Sequence, residues 1–158
     1  MKGNDKVLAV LNDLLADELT AINQYMVHSE MCDNWGYGVL HKAVEKRAIT
    51  EMKHAEKLIG RILFLEGTPI VSVLKAMHIG PEVAKQLEND LQAEKDAVGA
   101  YNRGIVVAQE AQDNGTRDLL TSILKDEESH LDWLEAQLDQ IKQMGAQNYL
   151  SLQTQVPA

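Results

Sequence analysis

Two copies of a Glu-x-x-His pattern are the residues in this sequence with the clearest potential for chemistry. Glu51 and His54 form the first copy, and Glu127 and His130 form the second. At a spacing of three residues, two side chains lie on one face of a helix, so each pair can reach a common point. A carboxylate and an imidazole held in this way are typical ligands of a transition metal. One pair alone would be weak evidence, because charged helix faces are common.

The two pairs belong to a larger internal repeat. A glutamate, Glu18 or Glu94, precedes each pair by 33 residues, and a tyrosine, Tyr25 or Tyr101, follows each of these glutamates by seven residues. Each member of the first half maps onto the second half by the same shift of 76 residues. This repeat predicts two helix pairs that face each other across a bundle, each of which contributes one Glu and one Glu-x-x-His.

The repeated acids are predicted to point into the core of the protein. Glu18 lies between Leu14 and Ile22 on an apolar stripe, and Glu94 and Glu127 have similar positions on theirs. Burying an unpaired carboxylate costs several kcal/mol, whereas a folded domain has only ~5–15 kcal/mol in reserve. The cluster therefore needs cations, and two divalent metal ions would balance four carboxylates. Two neutral imidazoles add the nitrogen ligands that iron, manganese and zinc accept.

Apolar residues at steps of three and four predict four long helices, at about 5–33, 39–66, 81–112 and 116–144. Each would be about 40 Å long, and the loop at 67–80 can span up to roughly 46 Å. The loop can therefore run along the bundle and make the second and third helices parallel. We predict an all-α four-helix bundle with this one long crossover loop, and a short fifth helix at about 146–154. The whole chain, 1–158, is predicted to be a single domain that holds two metal ions.

The composition restricts the classes of function. The chain has 158 residues and a formal net charge of −9, so it should repel nucleic acid and attract cations. Its one cysteine, Cys32, cannot form an internal disulfide, and no signal sequence or run of about 18 apolar residues is present. We therefore expect a cytoplasmic protein that binds neither nucleic acid nor membranes.

The chain resembles the bacterioferritins, the haem-containing ferritins, over nearly its whole length. The segments that carry the resemblance are MKGNDKVLAVLNDLLADELTAINQY at the start, EMKHAEKLIGRILFLEGTP, DEESHLDWLE and MGAQNYL. The known ligand pattern of ferritin-like di-iron and di-manganese proteins, Glu plus Glu-x-x-His from each half, is also present. The resemblance implies a 24-subunit shell built from dimers. Such a shell oxidises Fe(II) to Fe(III) at a ferroxidase centre in each subunit and stores the ferric mineral.

The resemblance assigns two iron ions per subunit to the repeated residues. One iron would be bound by Glu18 and His54, and the other by Glu94 and His130. The carboxylates that would bridge the two irons are Glu51 and Glu127. Bridging carboxylates would hold the irons close enough for dioxygen or hydrogen peroxide to take one electron from each.

Two further residues have roles that only the resemblance implies. Met52 lies about 100° around its helix from Glu51 and should face out of the bundle, where a methionine usually serves in packing or in an oligomer contact. In the family, a methionine at this place binds haem b, one haem per subunit dimer with one Met from each subunit. Tyr25 would hydrogen-bond near the iron site or act in electron transfer, or it is a core tyrosine with a satisfied hydroxyl.

The sequence leaves several points open. Lys46 and Thr50 stand where some bacterioferritins have His and Asp as an additional inner iron site, so the centre either turns over as a fixed cofactor or passes iron inward. The oxidant, the electron donor for iron release, for which a ferredoxin is a candidate, and co-assembly with a second subunit type are also open. The alternatives are a non-haem ferritin, a rubrerythrin-like peroxide reductase, which the lack of CxxC pairs disfavours, and a non-enzymatic bundle with protonated acids.

Overall fold

Five helices make up most of the computed structural model, which describes residues 1–154. They are α1 (Asp5–Asn34), α2 (Gly38–Phe64), α3 (Val83–Glu110), α4 (Asn114–Met144) and α5 (Ala146–Gln153). No strand occurs among the described residues. The predicted all-α bundle with a short C-terminal helix is confirmed. Residues 155–158, which the predicted domain range includes, lie outside the described part of the chain.

The helices pack as two pairs, α1 with α2 and α3 with α4, and α1 also packs against α3. Each pair is joined by a short turn, so its two helices are antiparallel. The long segment between α2 and α3 is anchored along α1 by four backbone N–H groups, which donate to side chains. The donors Ile70, Lys75, His78 and Gly80 bond in that order to Asn12, Thr20, Gln24 and His28, over 2.8–3.0 Å. The segment therefore runs along the bundle and makes α2 and α3 parallel, as predicted.

Two apolar clusters fill the two ends of the bundle. One contains side chains from the beginning of α1 and the end of α2, such as Leu11 and Leu58, which are fully buried. The other contains Leu40, Leu87 and Tyr149, and through Tyr149 it also receives α5. The buried acids of all four long helices lie between these clusters, so the fold places a polar layer in the middle of its core.

Two helices end earlier than the sequence predicted. α2 ends at Phe64 and not at Glu66, because Glu66 adopts a left-handed conformation with φ of 61°. α3 ends at Glu110 and not at Gln112, and Gln112 has φ of 56°. In both cases the next residue donates its backbone N–H back to a carbonyl five residues earlier, which closes the helix end. α3 also begins at Val83, two residues after Pro81, because Glu82 is extended.

Asp113 caps the beginning of α4 and also ties it to the end of α2. Its carboxylate accepts hydrogen bonds from the Thr116 backbone N–H at 3.0 Å and from Arg61 Nη2 at 2.7 Å. We expect Asp113→Ala to lower the free energy of unfolding by about 1–2 kcal/mol, since an N-cap and a partly buried ion pair are lost together. Chemical denaturation followed by circular dichroism measures this. The control Asp118→Ala removes an exposed acid of the same helix, and an equal loss in both variants would contradict the prediction.

None of the helices within residues 1–154 is long and apolar enough to cross a membrane.

Candidate metal centre

Four buried side chains from three helices meet in the middle of the bundle. They are Glu18 of α1, Glu51 and His54 of α2, and Glu127 of α4, and each offers one ligand atom within 4.8 Å of the others. Their side chains are only 1–2% exposed. We call this group the first half-site. Three acids and an imidazole at this separation can surround a single cation.

The other two predicted ligands, Glu94 of α3 and His130 of α4, lie beside the first half-site and contact each other. His130 Nδ1 is 2.8 Å from Glu94 Oε1, and the side chains are 9% and 2% exposed. We call this pair the second half-site. The structure thus brings all six predicted residues into one region, although only the first half-site forms a compact group of ligand atoms.

The tyrosines of the internal repeat make equivalent contacts across the bundle. Tyr25 of α1 donates its hydroxyl to Glu94 Oε1, and Tyr101 of α3 donates to Glu18 Oε1, both over 2.5 Å. Burial, and then the nearby carboxylates, raise the pKa of both phenols, so both remain hydrogen-bond donors. Tyr25 therefore makes the predicted hydrogen bond beside the site, and Tyr101, which had no assigned role, makes the same one.

Asp126 of α4 orients His54, a role that sequence reasoning missed. The His54 Nε2 atom lies 2.9 Å from Asp126 Oδ2. The opposite nitrogen, Nδ1, consequently faces the three acids of the first half-site, at 3.3–3.7 Å. A carboxylate that holds the outer nitrogen of a ligating histidine is a common arrangement in metal sites, because it fixes the ring and its tautomer.

Arg47 of α2, also missed by the sequence analysis, places its guanidinium between the two half-sites. Its Nη2 atom is 2.5 Å from Glu51 Oε1, 2.6 Å from Glu127 Oε2 and 3.7 Å from Glu94 Oε1. The Arg47 side chain is only 10% exposed. A signal was present in the sequence, because Arg47 precedes Glu51 by four residues and therefore shares its helix face.

Comparisons with known proteins identify the family of this chain. A family model described as a ferritin-like domain matches residues 8–144. Bacterioferritin BfrA of Mycobacterium tuberculosis is 42% identical over 94% of each chain. The bacterioferritin of Brucella melitensis is 41% identical over 94% of this chain and 92% of that protein. This chain belongs to the bacterioferritin family. The bacterial ferritin of Synechocystis sp. is also similar, with 42% identity over 97% of this chain and 99% of that protein.

In this member of the bacterioferritin family, bound protons and Arg47 reduce the negative charge of the buried carboxylate cluster. Burial, together with neighbouring acids, raises the pKa of Glu18 well above its usual value and that of Glu94 to about 8. Burial opposes ionisation of Glu51, but its close contacts with Glu18 and His54 and the charge of Arg47 lower its pKa to about 2. Burial opposes a charge on His54 as well, but the surrounding acids raise its pKa to about 12. The prediction that four charged carboxylates require metal ions was therefore incomplete, because protons and Arg47 supply part of the balance.

Several buried ligand atoms nevertheless have no partner among the described residues. Glu18 Oε2, His54 Nδ1 and Glu127 Oε1 of the first half-site, and Glu94 Oε2 of the second, make no hydrogen bond. Leaving such an atom buried and unpaired costs about 1–3 kcal/mol. Carboxylate oxygens with an imidazole nitrogen form a donor set that suits Fe(II), Mn(II) or Zn(II). The residues present therefore fit a metal ion.

Met52 lies on the outer face of α1 and α2, away from the carboxylates. Its side chain lines an apolar groove of about 340 Å³ with Ile22, Met26, Ala48 and Ile49. Met52 is 44% exposed and Met26 is 48% exposed. Three polar residues, Ser29, Glu30 and Glu45, also line the groove. An exposed apolar groove that contains two thioethers is suited to an apolar ligand or to a second protein surface.

Lys46 and Thr50, the two residues that depart from the family pattern, are poorly suited to bind a metal ion. Lys46 is exposed, and Thr50 uses its hydroxyl to donate to the Lys46 carbonyl oxygen of the same helix at 3.1 Å. Neither residue therefore adds a strong metal ligand to Glu51 and His54 of the same helix.

The crossed tyrosine contacts predict a loss of stability at two positions. Tyr25→Phe and Tyr101→Phe should each lower the free energy of unfolding by about 1–3 kcal/mol, because each removes a buried hydroxyl that donates a hydrogen bond to a buried carboxyl group. Urea denaturation in the presence of a chelator measures this. Tyr37→Phe is the matched control, since no hydrogen bond of the Tyr37 hydroxyl is found among the described residues. A loss no greater than that of Tyr37→Phe, or a loss at only one tyrosine, would contradict the prediction.

Proposed function

We propose that this chain is an iron-storage ferroxidase. It oxidises Fe(II) to Fe(III) at the two half-sites in each subunit and deposits ferric mineral inside a 24-subunit shell. The observation that carries the proposal is the convergence of six carboxylate and histidine side chains from four helices, with unpartnered buried ligand atoms in both half-sites. Membership of the bacterioferritin family supports it.

Iron is the substrate of the proposed reaction, and the protein positions it. Glu18 and His54 would hold one Fe(II), and Glu94 and His130 would hold the other. The acids proposed to bridge the two ions are Glu51 and Glu127. These two acids come from opposite helix pairs, and each has two oxygens turned toward different neighbours. Protons held by Glu18, Glu94 and His54 must leave as iron binds, so binding should weaken as the pH falls.

The rate of iron oxidation and the size of the assembly test this proposal. We expect rapid oxidation of about two Fe(II) per subunit in a stopped-flow experiment with dissolved oxygen, well above the rate in buffer alone. Hydrogen peroxide in place of oxygen, under anaerobic conditions, identifies the faster oxidant. Size exclusion should give a particle of about 24 chains of 17.6 kDa. Oxidation at the buffer rate would reject the ferroxidase, and a dimer would reject the storage shell.

We also propose that Met52 from each of two subunits binds one haem b across a two-fold axis. The exposed thioether in an apolar groove supports this assignment, because one copy of the groove provides only half of a site. Haem bound there would supply an electron-transfer group. Purified protein should show a Soret band that Met52→Leu abolishes. Met26→Leu is the control in the same groove. A Soret band lost in Met26→Leu and kept in Met52→Leu would reject Met52 as the ligand, and its absence from the parent protein would favour a non-haem ferritin.

We also propose an electron donor and a location for the protein. A reduced ferredoxin is a candidate electron donor for the release of stored iron, and the cytoplasm is the expected location. A rubrerythrin-like activity is less well supported, since the sequence contains one cysteine and therefore no CxxC pair.

A further inference from the structure

The two acids shared between the half-sites turn their oxygens toward two different side chains, His54 and Arg47. Glu51 Oε2 and Glu127 Oε1 face His54 Nδ1 at 3.4 and 3.3 Å, on the side of the first half-site. The other oxygens, Glu51 Oε1 and Glu127 Oε2, contact Arg47 Nη2 at 2.5 and 2.6 Å. A single guanidinium nitrogen therefore holds the oxygens that face away from the first half-site.

Arg47 also reaches toward the second half-site. Its Nη2 atom is 3.7 Å from Glu94 Oε1, the oxygen that contacts His130 and Tyr25. A second cation bridged by Glu51 and Glu127 would need the two oxygens that Arg47 Nη2 contacts, whereas Glu94 could offer it the unpartnered Oε2. Because two positive charges cannot share those two oxygens without strong repulsion at so short a distance, the guanidinium and a second metal ion exclude each other.

The internal repeat shows that this cation belongs to only one half of the site. A shift of 76 residues carries Arg47 onto Ile123, which is apolar and fully buried. The same shift carries Thr50 onto Asp126, which orients His54. The first half-site thus has a histidine oriented by an acid, and Arg47 contacts only the outward oxygens of its acids. On the side of the second half-site lies the guanidinium, and Thr50 stands in place of the orienting acid.

Arg47 is held in a way that permits it to leave. Besides the carboxylates, its guanidinium makes one long hydrogen bond, from Nη1 to the Asp126 carbonyl oxygen at 3.4 Å. The neighbouring Lys46 is exposed and Thr50, one turn further along α2, is half-buried. The exposed surface therefore lies within one turn of Arg47 on the same helix. Arginine has a long and flexible side chain.

We propose that Arg47 is a built-in competitor of the second metal ion and makes metal binding sequential. One divalent ion binds in the first half-site while Arg47 stays in place, and a second binds in the second half-site only when Arg47 moves out. This inference rests on the proposed function to the extent that the six residues bind metal. Arg47 is a residue that determines affinity and order of binding, and it takes no part in electron transfer.

Titration of the chelator-treated assembly with Co(II), without oxygen, tests the inference independently of iron oxidation. Calorimetry and visible absorption should show two steps per subunit in the parent protein, with the second at least about tenfold weaker. Arg47→Met, which has a similar length and no charge, should strengthen the second step by about tenfold or more and leave the first unchanged. Arg47→Lys should keep the two steps apart. His130→Ala should remove the second step and so assign it to the second half-site.

Two controls separate the competing explanations. Arg103→Met removes an exposed arginine of α3, so it reports the effect of overall charge and should leave both steps as in the parent. With chelator present, Arg47→Met should melt at a lower temperature than the parent, because Glu51 and Glu127 lose their counter-ion. Co(II) should then raise its melting temperature by more than it raises that of the parent. This pair of measurements also shows that the variant is folded.

The outcomes distinguish this inference from the proposed function. Two equal steps in the parent, or a second step that is weakened in Arg47→Met, would overturn the role of Arg47 while the metal centre stands. Absence of the first step from the parent and from Arg47→Met alike would overturn the metal centre itself, and this inference with it.

Discussion

Replacing Glu127 with alanine should lower the initial rate of Fe(II) oxidation by about 100-fold or more. Loss of an outer partner of a metal ligand typically costs about 10–100-fold, and Glu127 is placed to act on both half-sites directly. One of its oxygens lies 3.3 Å from His54 Nδ1, and the other lies 2.6 Å from Arg47 Nη2. In the proposed centre, its removal would take a ligand from both ions. Stopped-flow absorbance after mixing with two Fe(II) per subunit measures the rate.

Glu128→Ala is the matched control for this variant. Glu128 is the next residue of α4, carries the same charge and is exposed, so its loss should leave the rate within about twofold of the parent. Glu127→Ala should also remain folded, because a buried acid is removed and not introduced. Parent-like oxidation in Glu127→Ala, or equal losses in both variants, would show that the two half-sites are not the ferroxidase centre.

Replacing Leu58 with alanine should lower the free energy of unfolding by about 2–5 kcal/mol, the largest stability effect that we predict. Leu58 of α2 is fully buried in the same apolar cluster as Leu11, Leu15 and Tyr101. The substitution removes three side-chain carbon atoms and leaves a cavity in the core, so both transfer free energy and packing contacts are lost. Chemical denaturation in the presence of a chelator measures the change without a contribution from bound metal.

Lys57→Ala serves as the control for Leu58→Ala. Lys57 is the preceding residue of the same helix and is exposed, so its truncation should change the free energy of unfolding by less than about 0.5 kcal/mol. If the two variants differ by less than about 1 kcal/mol, the helix faces are not arranged as described.

The sequence predicted the architecture well because periodicity and loop length both bear on it. The spacing of residues such as Leu11, Leu14 and Leu15 requires a helix with one apolar face. The length of the connection between α2 and α3 is sufficient to cross the bundle. The 76-residue repeat then indicated which acids would converge, since Glu18 and Glu94 occupy equivalent places. Helix ends were predicted less well, because left-handed backbone at Glu66 and Gln112 has no signature in those side chains.

The charge balance of the centre could not be predicted from the sequence, for a physical reason. The position of Arg47 on the helix face of Glu51 is visible in the sequence. Whether a long side chain turns inward or extends into solvent depends on the room that the neighbouring helices leave. The low pKa of Glu51 depends in turn on that choice, because the charge of Arg47 is one of its causes. Asp126 was missed for a related reason, because its partner His54 is on another helix and 72 residues away.

The long segment between α2 and α3 fixes the rotation of α1 about its own axis. Its four anchors occupy one side of α1, from Asn12 to His28, while Glu18 and Tyr25 extend from a different side of the same helix. α1 therefore cannot rotate about its own axis without breaking both groups of bonds. Shortening the segment by one residue would strain the anchors and misdirect the two side chains together. A stretch of chain without regular structure thus acts as the alignment device for the chemistry inside.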